Sequence, residues 1–156
     1  MEESLEHPDQ PPPRVSIQGD ADVNYNWLKV HATAALLFLR KEQSEIAVRI
    51  VGDAEMSELH NKHSGIECTT DVLTFDNGSD EHAVRADIAC CCDEASREAQ
   101  QRGHSLDEEL LLYIMHGILH CSGFDDHDEE SHRKMHEEED RILSAIGVGS
   151  VWSKGS

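Results

Sequence analysis

A chain of 156 residues is long enough to bury a proper core and is most simply one domain. Its 32 Asp and Glu against 13 Lys and Arg leave a formal charge of -19, which argues against tight, unaided binding to nucleic acid, because neutralising phosphates supplies much of that affinity. Net charge does not limit what a single cleft can hold, so catalysis on a phosphodiester is not excluded. No apolar run approaches bilayer length and the N-terminus has no basic-then-apolar signal pattern, so the expectation is a soluble, cytoplasmic protein without a membrane partner. Five cysteines (Cys68, Cys90, Cys91, Cys92, Cys121) form an odd set with no C-x-x-C spacing, which indicates neither a disulfide framework nor a cysteine zinc knuckle.

Residues 1–13 are acidic, end in Pro11-Pro12-Pro13 and read as a disordered leader. Val15-Ser16-Ile17 alternates as a short first strand, and residues 27–39 carry apolar side chains at helical spacing. Residues 45–51 (EIAVRIV) form a β-branched strand bounded by Gly52-Asp53, and Asp53 is a cap for a helix over 54–62 that turns Met56 and Leu59 inward. Residues 69–76 and 86–92 are two further strands; Asn77-Gly78 ends the first, and the polar link makes them a hairpin. Cys90 to Cys92 then serve as small apolar residues of a buried strand.

A helix over 93–101 stops at Gly103. Ser105 and Glu108 form a capping box for the next one, with acids at 107–109 where the helix dipole favours them. From Leu110 to Leu119 the chain is apolar almost all round, which predicts a buried central helix. A last helix over 129–146 puts Met135, Ile142, Leu143 and Ile146 on one face and is ended by Gly147, leaving 148–156 as a flexible tail. The acidic run 137–140 reads as a solvated face. The domain proper is 14–147.

The chemistry is concentrated in His116-Gly117-Ile118-Leu119-His120-Cys121-Ser122-Gly123-Phe124-Asp125-Asp126-His127. Positions i and i+4 share a helix face, so His116 and His120 can bind one ion, and Gly123 lets the chain reverse and return Asp126 or His127 to it. Imidazoles inside a core region are costly unless satisfied, and ligation satisfies one nitrogen of each. Two imidazoles with an oxygen or a third nitrogen suit zinc first, with nickel, cobalt or manganese possible; three protein ligands leave a fourth position open, as in a catalytic site. The spacing is that of the zinc-peptidase helix H-E-x-x-H, but Gly117 stands where its general-base glutamate would be, which argues against a peptidase.

The same stretch closely resembles the H-G-x-L-H-x-x-G-[YF]-D-H hallmark of the YbeY endoribonucleases. Residues 59–75 are similar to that family's L-N-x-x-Y-R-x-x-x-x-P-T-D-V-L-S-F segment, Ala86-Asp87-Ile88 to its G-D-I strand, and Met135 falls in register on the last helix. The resemblance covers about residues 15–146. It implies an α+β fold: a small mixed, mostly four-stranded sheet packed with about five helices around a central buried metal-binding helix. It implies a single-strand-specific, metal-dependent endoribonuclease of ribosomal RNA processing, in 3' end maturation of small-subunit rRNA and ribosome quality control. Its partners would be single-stranded or ribosomal RNA on the ribosome, not DNA, and its cofactor one zinc ion.

Two departures from the family pattern stand out. Aligned without a gap, the family's third ligand histidine falls on Asp126, and a histidine follows at 127; Asp126 is taken as the third ligand beside His116 and His120, with His127 as the alternative. His127 and Asp125 are then the groups able to move a proton. The second departure is Ser64, where the family usually has an arginine for substrate phosphate; a serine supplies neither charge nor a bidentate fork. Arg49, Lys62 and Arg85 are the candidate replacements. Thr70 and Asp71 lie beside the cleft in the family, though turn residues look the same. His60 and His63 flank that loop, and His132, Arg133 and Lys134 read as a solvated face more than an RNA contact. Two other functions fit the residues: a zinc-dependent hydrolase of a non-RNA substrate, and a structural-metal, ribosome-associated binding protein.

Overall fold

The structure, a computed structural model, describes residues 12–64, 70–125, 127–149 and 151, leaving aside the side chains of His63 and Ser64. The expectations for most of the leader, for Thr69, Asp126 and Ser64, and for the end of the tail lie outside these residues. Four strands, β1 (Arg14–Gly19), β2 (Glu45–Val51), β3 (Val72–Asp76) and β4 (Arg85–Cys91), form one sheet in the order β1-β2-β4-β3. The first three in that order run parallel, and β3 pairs antiparallel with β4 at the edge, from Val72↔Cys90 to Asp76↔Ala86. The hairpin and the mixed α+β sheet are thus as the sequence predicts.

Five helices complete the chain: α1 (Tyr25–Phe38), α2 (Asp53–Ser64), α3 (Cys92–Arg102), α4 (Leu106–His120) and α5 (Glu129–Ala145). Strand alternation sorts the sheet faces. Ile46, Val48 and Ile50 of β2 and Ala86, Ile88 and Cys90 of β4 join α1, α4 and α5 in the main core, whereas Val51, Ala89 and Cys91 turn to the other face and meet Met56 of α2. Helix α1 starts two residues before its apolar pattern because Asn24 caps it, its Oδ1 accepting from the Trp27 N–H at 2.9 Å. Cys90 and Cys91 are buried in β4 as expected, but Cys92 is the first residue of α3 and only partly buried.

Two expectations for the C-terminal part meet a different structure. The run 137–140 is not uniformly solvated: Glu139 is 0% exposed. It follows Met135 by four residues and precedes Ile142 by three, so helical geometry sets it in the apolar stripe of α5. Within the segment read as a tail, Val151 is buried, and the Val148 N–H donates to the Leu143 carbonyl at 2.8 Å. No helix among the described residues is long and apolar enough to cross a membrane.

Candidate metal centre

Helix α4 sets the frame of the site. The capping box is formed in both directions: the Glu108 N–H donates to Ser105 Oγ and the Ser105 N–H to Glu108 Oε1, each at 3.0 Å. Leu110, Leu111, Ile114, Met115, Ile118 and Leu119 are each 0% exposed, so the helix is packed on most of its circumference. Gly117 allows this closeness to the sheet, since a Cβ there would lie 2.9 Å from both Ile88 Cδ1 and Thr74 Oγ1.

His116 and His120 occupy the one polar stripe of α4, which also carries Glu109 and Tyr113. The His116 side chain is 26% exposed and His120, the last helical residue, is exposed. Near His120 lies the end of β3, where the Asp76 carboxyl is held below the usual carboxylate range, chiefly by the Ser79 N–H and with a smaller contribution from His120. Past the helix the Phe124 N–H donates to the Leu119 carbonyl at 3.0 Å and Gly123 adopts a φ of +102°, so the chain reverses where the sequence predicts.

Asp126 lies outside the described residues. His127 is 84% exposed, with Nδ1 3.5 Å from Asp125 Oδ1. The next residue, Asp128, caps α5 by accepting from the Ser131 N–H at 2.8 Å. Among the described residues no three His, Cys, Asp or Glu side chains are grouped closely enough to hold an ion.

Glu139 of α5 carries the strongest sign that His116 is built as a ligand. One of its oxygens accepts from His136 Nδ1 at 2.6 Å, and the other, Oε2, is buried without a hydrogen bond and lies 3.4 Å from His116 Nδ1. A histidine holding a metal through Nε2 needs an acceptor of this kind behind Nδ1. His116 and His120, with this acceptor behind the first, therefore fit two ligands of a divalent ion; His127 is not grouped with them, and Asp126 lies outside the described residues.

A cavity of about 300 Å³ opens beside His116, lined among others by Asp71, Arg102, Glu109, Tyr113, His136 and Glu139. Asp71 is thus brought to the site; its Oδ1 accepts from the Val72 N–H at 2.7 Å, so it also performs the turn role open to it in the sequence. Thr70 is partly buried ahead of β3 and does not line the cavity. Arg85 is turned to the β3–β4 link, donating to the Gly78 carbonyl at 2.8 Å and to Asp80 at 3.1 Å. Arg49 is paired with Glu55, and Arg133 with Glu130 and Glu137. Among the described residues, the Lys or Arg side chain that lines the cavity is that of Arg102, at the end of α3.

A larger recess of about 690 Å³ lies at the C-terminal ends of β1 and β2, but Asp20, Asp22, Glu55 and Asp93 line it and none of the site histidines do. Burial pushes the Cys90 thiol far up and that of Cys91 up to about 11, so neither supplies a thiolate near neutral pH. Glu139, His136 and Arg102 are absent from the sequence-based site. For Glu139 a signal existed, its register between Met135 and Ile142; for Arg102 none did, because its place depends on how α3 packs on α4.

Comparison with known proteins agrees with this geometry. Residues 17–147 match the family model described as Endoribonuclease YbeY. The chain is 30% identical over 136 residues to the Endoribonuclease YbeY of Carboxydothermus hydrogenoformans, covering 85% of this chain and 95% of that protein. It is 32% identical over 127 residues to that of Desulfitobacterium hafniense, covering 75% and 81% of the two chains. A solution structure of a Thermotoga maritima protein shares the fold, with a TM-score of 0.61 over 90% of each chain at 24% identity. A paired-histidine helix closed by a glycine turn, on a mixed four-stranded sheet and inside a match that spans nearly the whole domain, makes this chain a member of the YbeY endoribonuclease family.

Proposed function

We propose that the protein is a zinc-dependent endoribonuclease that cuts unpaired ribosomal RNA in the cytoplasm, in maturation of the small-subunit 3' end and in ribosome quality control. That it is a hydrolase acting on RNA follows from its family. The metal dependence rests on one observation above the others: His116 and His120 stand one turn apart on a buried helix, and an orphaned carboxylate oxygen lies behind His116.

In this reading His116, His120 and Asp126 hold the ion, with His127 as the alternative third ligand. When bound, the ion supplies a Lewis acid that draws charge from a phosphoryl oxygen and makes water a better nucleophile near neutral pH. The protein's own side chains do the rest. Arg102 binds and orients a phosphate, which answers the loss of the family arginine at Ser64. Asp71 and the wall formed by Tyr113 and Leu112 confine the nucleotide beside His116. His127, exposed beside Asp125, carries a proton between the site and solvent.

The test is incubation of the zinc-loaded protein with unpaired and duplex RNA of one sequence, beside His116→Ala and His120→Ala. Cleavage confined to the unpaired strand and lost in both variants is expected. Cleavage that persists in the variants, or none with zinc, manganese, nickel or cobalt, would overturn the proposal. Zinc retained in full by Asp126→Ala and lost by His127→Ala would reassign the third ligand.

A further inference from the structure

We propose that Glu139, braced by His136, is a positioning residue that fixes the His116 ring with its proton on Nδ1 and so presents Nε2 to the metal. The inference rests on the metal reading above and extends it to two residues of another helix.

Glu139 is 0% exposed and belongs to α5, whereas His116 belongs to α4. A buried carboxylate is costly unless each oxygen finds a donor. His136 supplies one donor, its Nδ1 2.6 Å from Oε1, and being three residues before Glu139 it sits on the same helical face. The His136 ring is itself held by an edge-on contact with His132, their centroids 4.3 Å apart. Oε1 is therefore committed, and the carboxylate plane is set by a neighbour on its own helix.

Oε2 is left buried, without a hydrogen bond, 3.4 Å from His116 Nδ1. A neutral imidazole has one N–H, and an acceptor beside Nδ1 draws that proton there and leaves the lone pair on Nε2. If Glu139 were only a structural filler satisfied within α5, its second oxygen would have no reason to face a ring of another helix from a buried position. The arrangement instead selects the ligating form of His116 before an ion arrives, and His136 keeps the selecting oxygen in place.

The experiment compares the full chain with Glu139→Gln and Glu139→Asp. Glutamine keeps the shape but turns an amide N–H toward one of the two imidazoles. Zinc affinity, measured by chelator competition, is expected to fall about 10- to 100-fold in Glu139→Gln. Ring 15N shifts of His116 in the ion-free protein, at about pH 8 where imidazole is neutral, are expected to show the Nδ1–H form in the wild type. The same shifts should move to the Nε2–H form in Glu139→Gln. Thermal unfolding of the ion-free proteins is the folding control, and Glu139→Asp serves if the glutamine variant does not fold. An unchanged tautomer together with zinc binding within twofold of wild type would overturn the proposal while leaving the metal site standing. A wild type that binds no divalent ion would instead remove the metal reading, and this inference with it.

Discussion

His104, just beyond α3, and Glu109, in α4, are hydrogen-bonded through Nε2 and Oε1 with the two side chains 0% and 2% exposed. The contact ties the α3–α4 connection to the first half of the helix that bears the site histidines. Removing either partner leaves the other polar group sealed in the core, and leaving a buried polar group unsatisfied costs about 1–3 kcal/mol. Glu109→Ala and His104→Ala are each expected to lose that much stability in denaturant unfolding, and the double variant less than the sum. Losses of under about 1 kcal/mol for both single variants would mean that the pair behaves as if solvated.

Arg102 gives a kinetic prediction. If it holds a substrate phosphate in the cavity beside His116, Arg102→Ala should raise KM for a short unpaired RNA about tenfold, the value of one lost charge-assisted hydrogen bond. The effect on kcat should be smaller, and Arg102→Lys should recover part of the loss through charge without the planar fork. A KM within about twofold of wild type would take Arg102 out of substrate binding.

The charge of -19 predicts an unusual response to salt. A basic nuclease loses RNA affinity as salt rises because bound counterions are no longer released at a profit in entropy. Here the protein as a whole repels RNA, and screening that repulsion helps the encounter. Raising monovalent salt from about 10 to about 150 mM, which shortens the Debye length from about 30 to about 8 Å, is expected to hold or increase kcat/KM on a short oligonucleotide. A steep fall over that range would point to a basic surface dominating the encounter.

Asp80 sets a pH dependence of stability. The His82 N–H, and then the Arg85 guanidinium, hold its carboxyl below the usual carboxylate range. A folded pKa below the unfolded value means stability that is present above about pH 4 and is lost as pH falls through the folded value. The stability gap between wild type and Asp80→Asn, followed by thermal unfolding, should therefore narrow from about pH 5 to about pH 2. A gap that widens on acidification would contradict the sign.

Much of this architecture can be read in the chain because local chemistry and global packing agree. The strand 45–51 lies where alternation and Gly52 set it, and the box formed by Ser105 and Glu108 starts α4 one residue after the cap. The placement of His116 and His120 on one face of α4 is legible for the same reason, since spacing on a helix needs no knowledge of the rest of the fold. What depends on contacts between distant elements is not. Composition made 137–140 look like a solvated run, and only the packing of α5 on α4 reveals that Glu139 is the member turned inward. The fate of Arg85 was equally hidden: its charge suggested substrate, but the turn after β3 offers it the Gly78 carbonyl and Asp80 first.

Gly117 has a meaning beyond packing. In a zinc peptidase of the H-E-x-x-H type this position supplies the general base, yet here any side chain would run into Ile88 and Thr74. The face of α4 that would carry a peptidase's base is the face by which the helix is fastened to its sheet. The two hydrolase designs are therefore not one mutation apart: an ancestor could acquire the glutamate only by first lifting the helix off the strands that position its histidines. A base at position 117 is thereby excluded, and in the function proposed above the proton carrier is His127, beyond the end of α4.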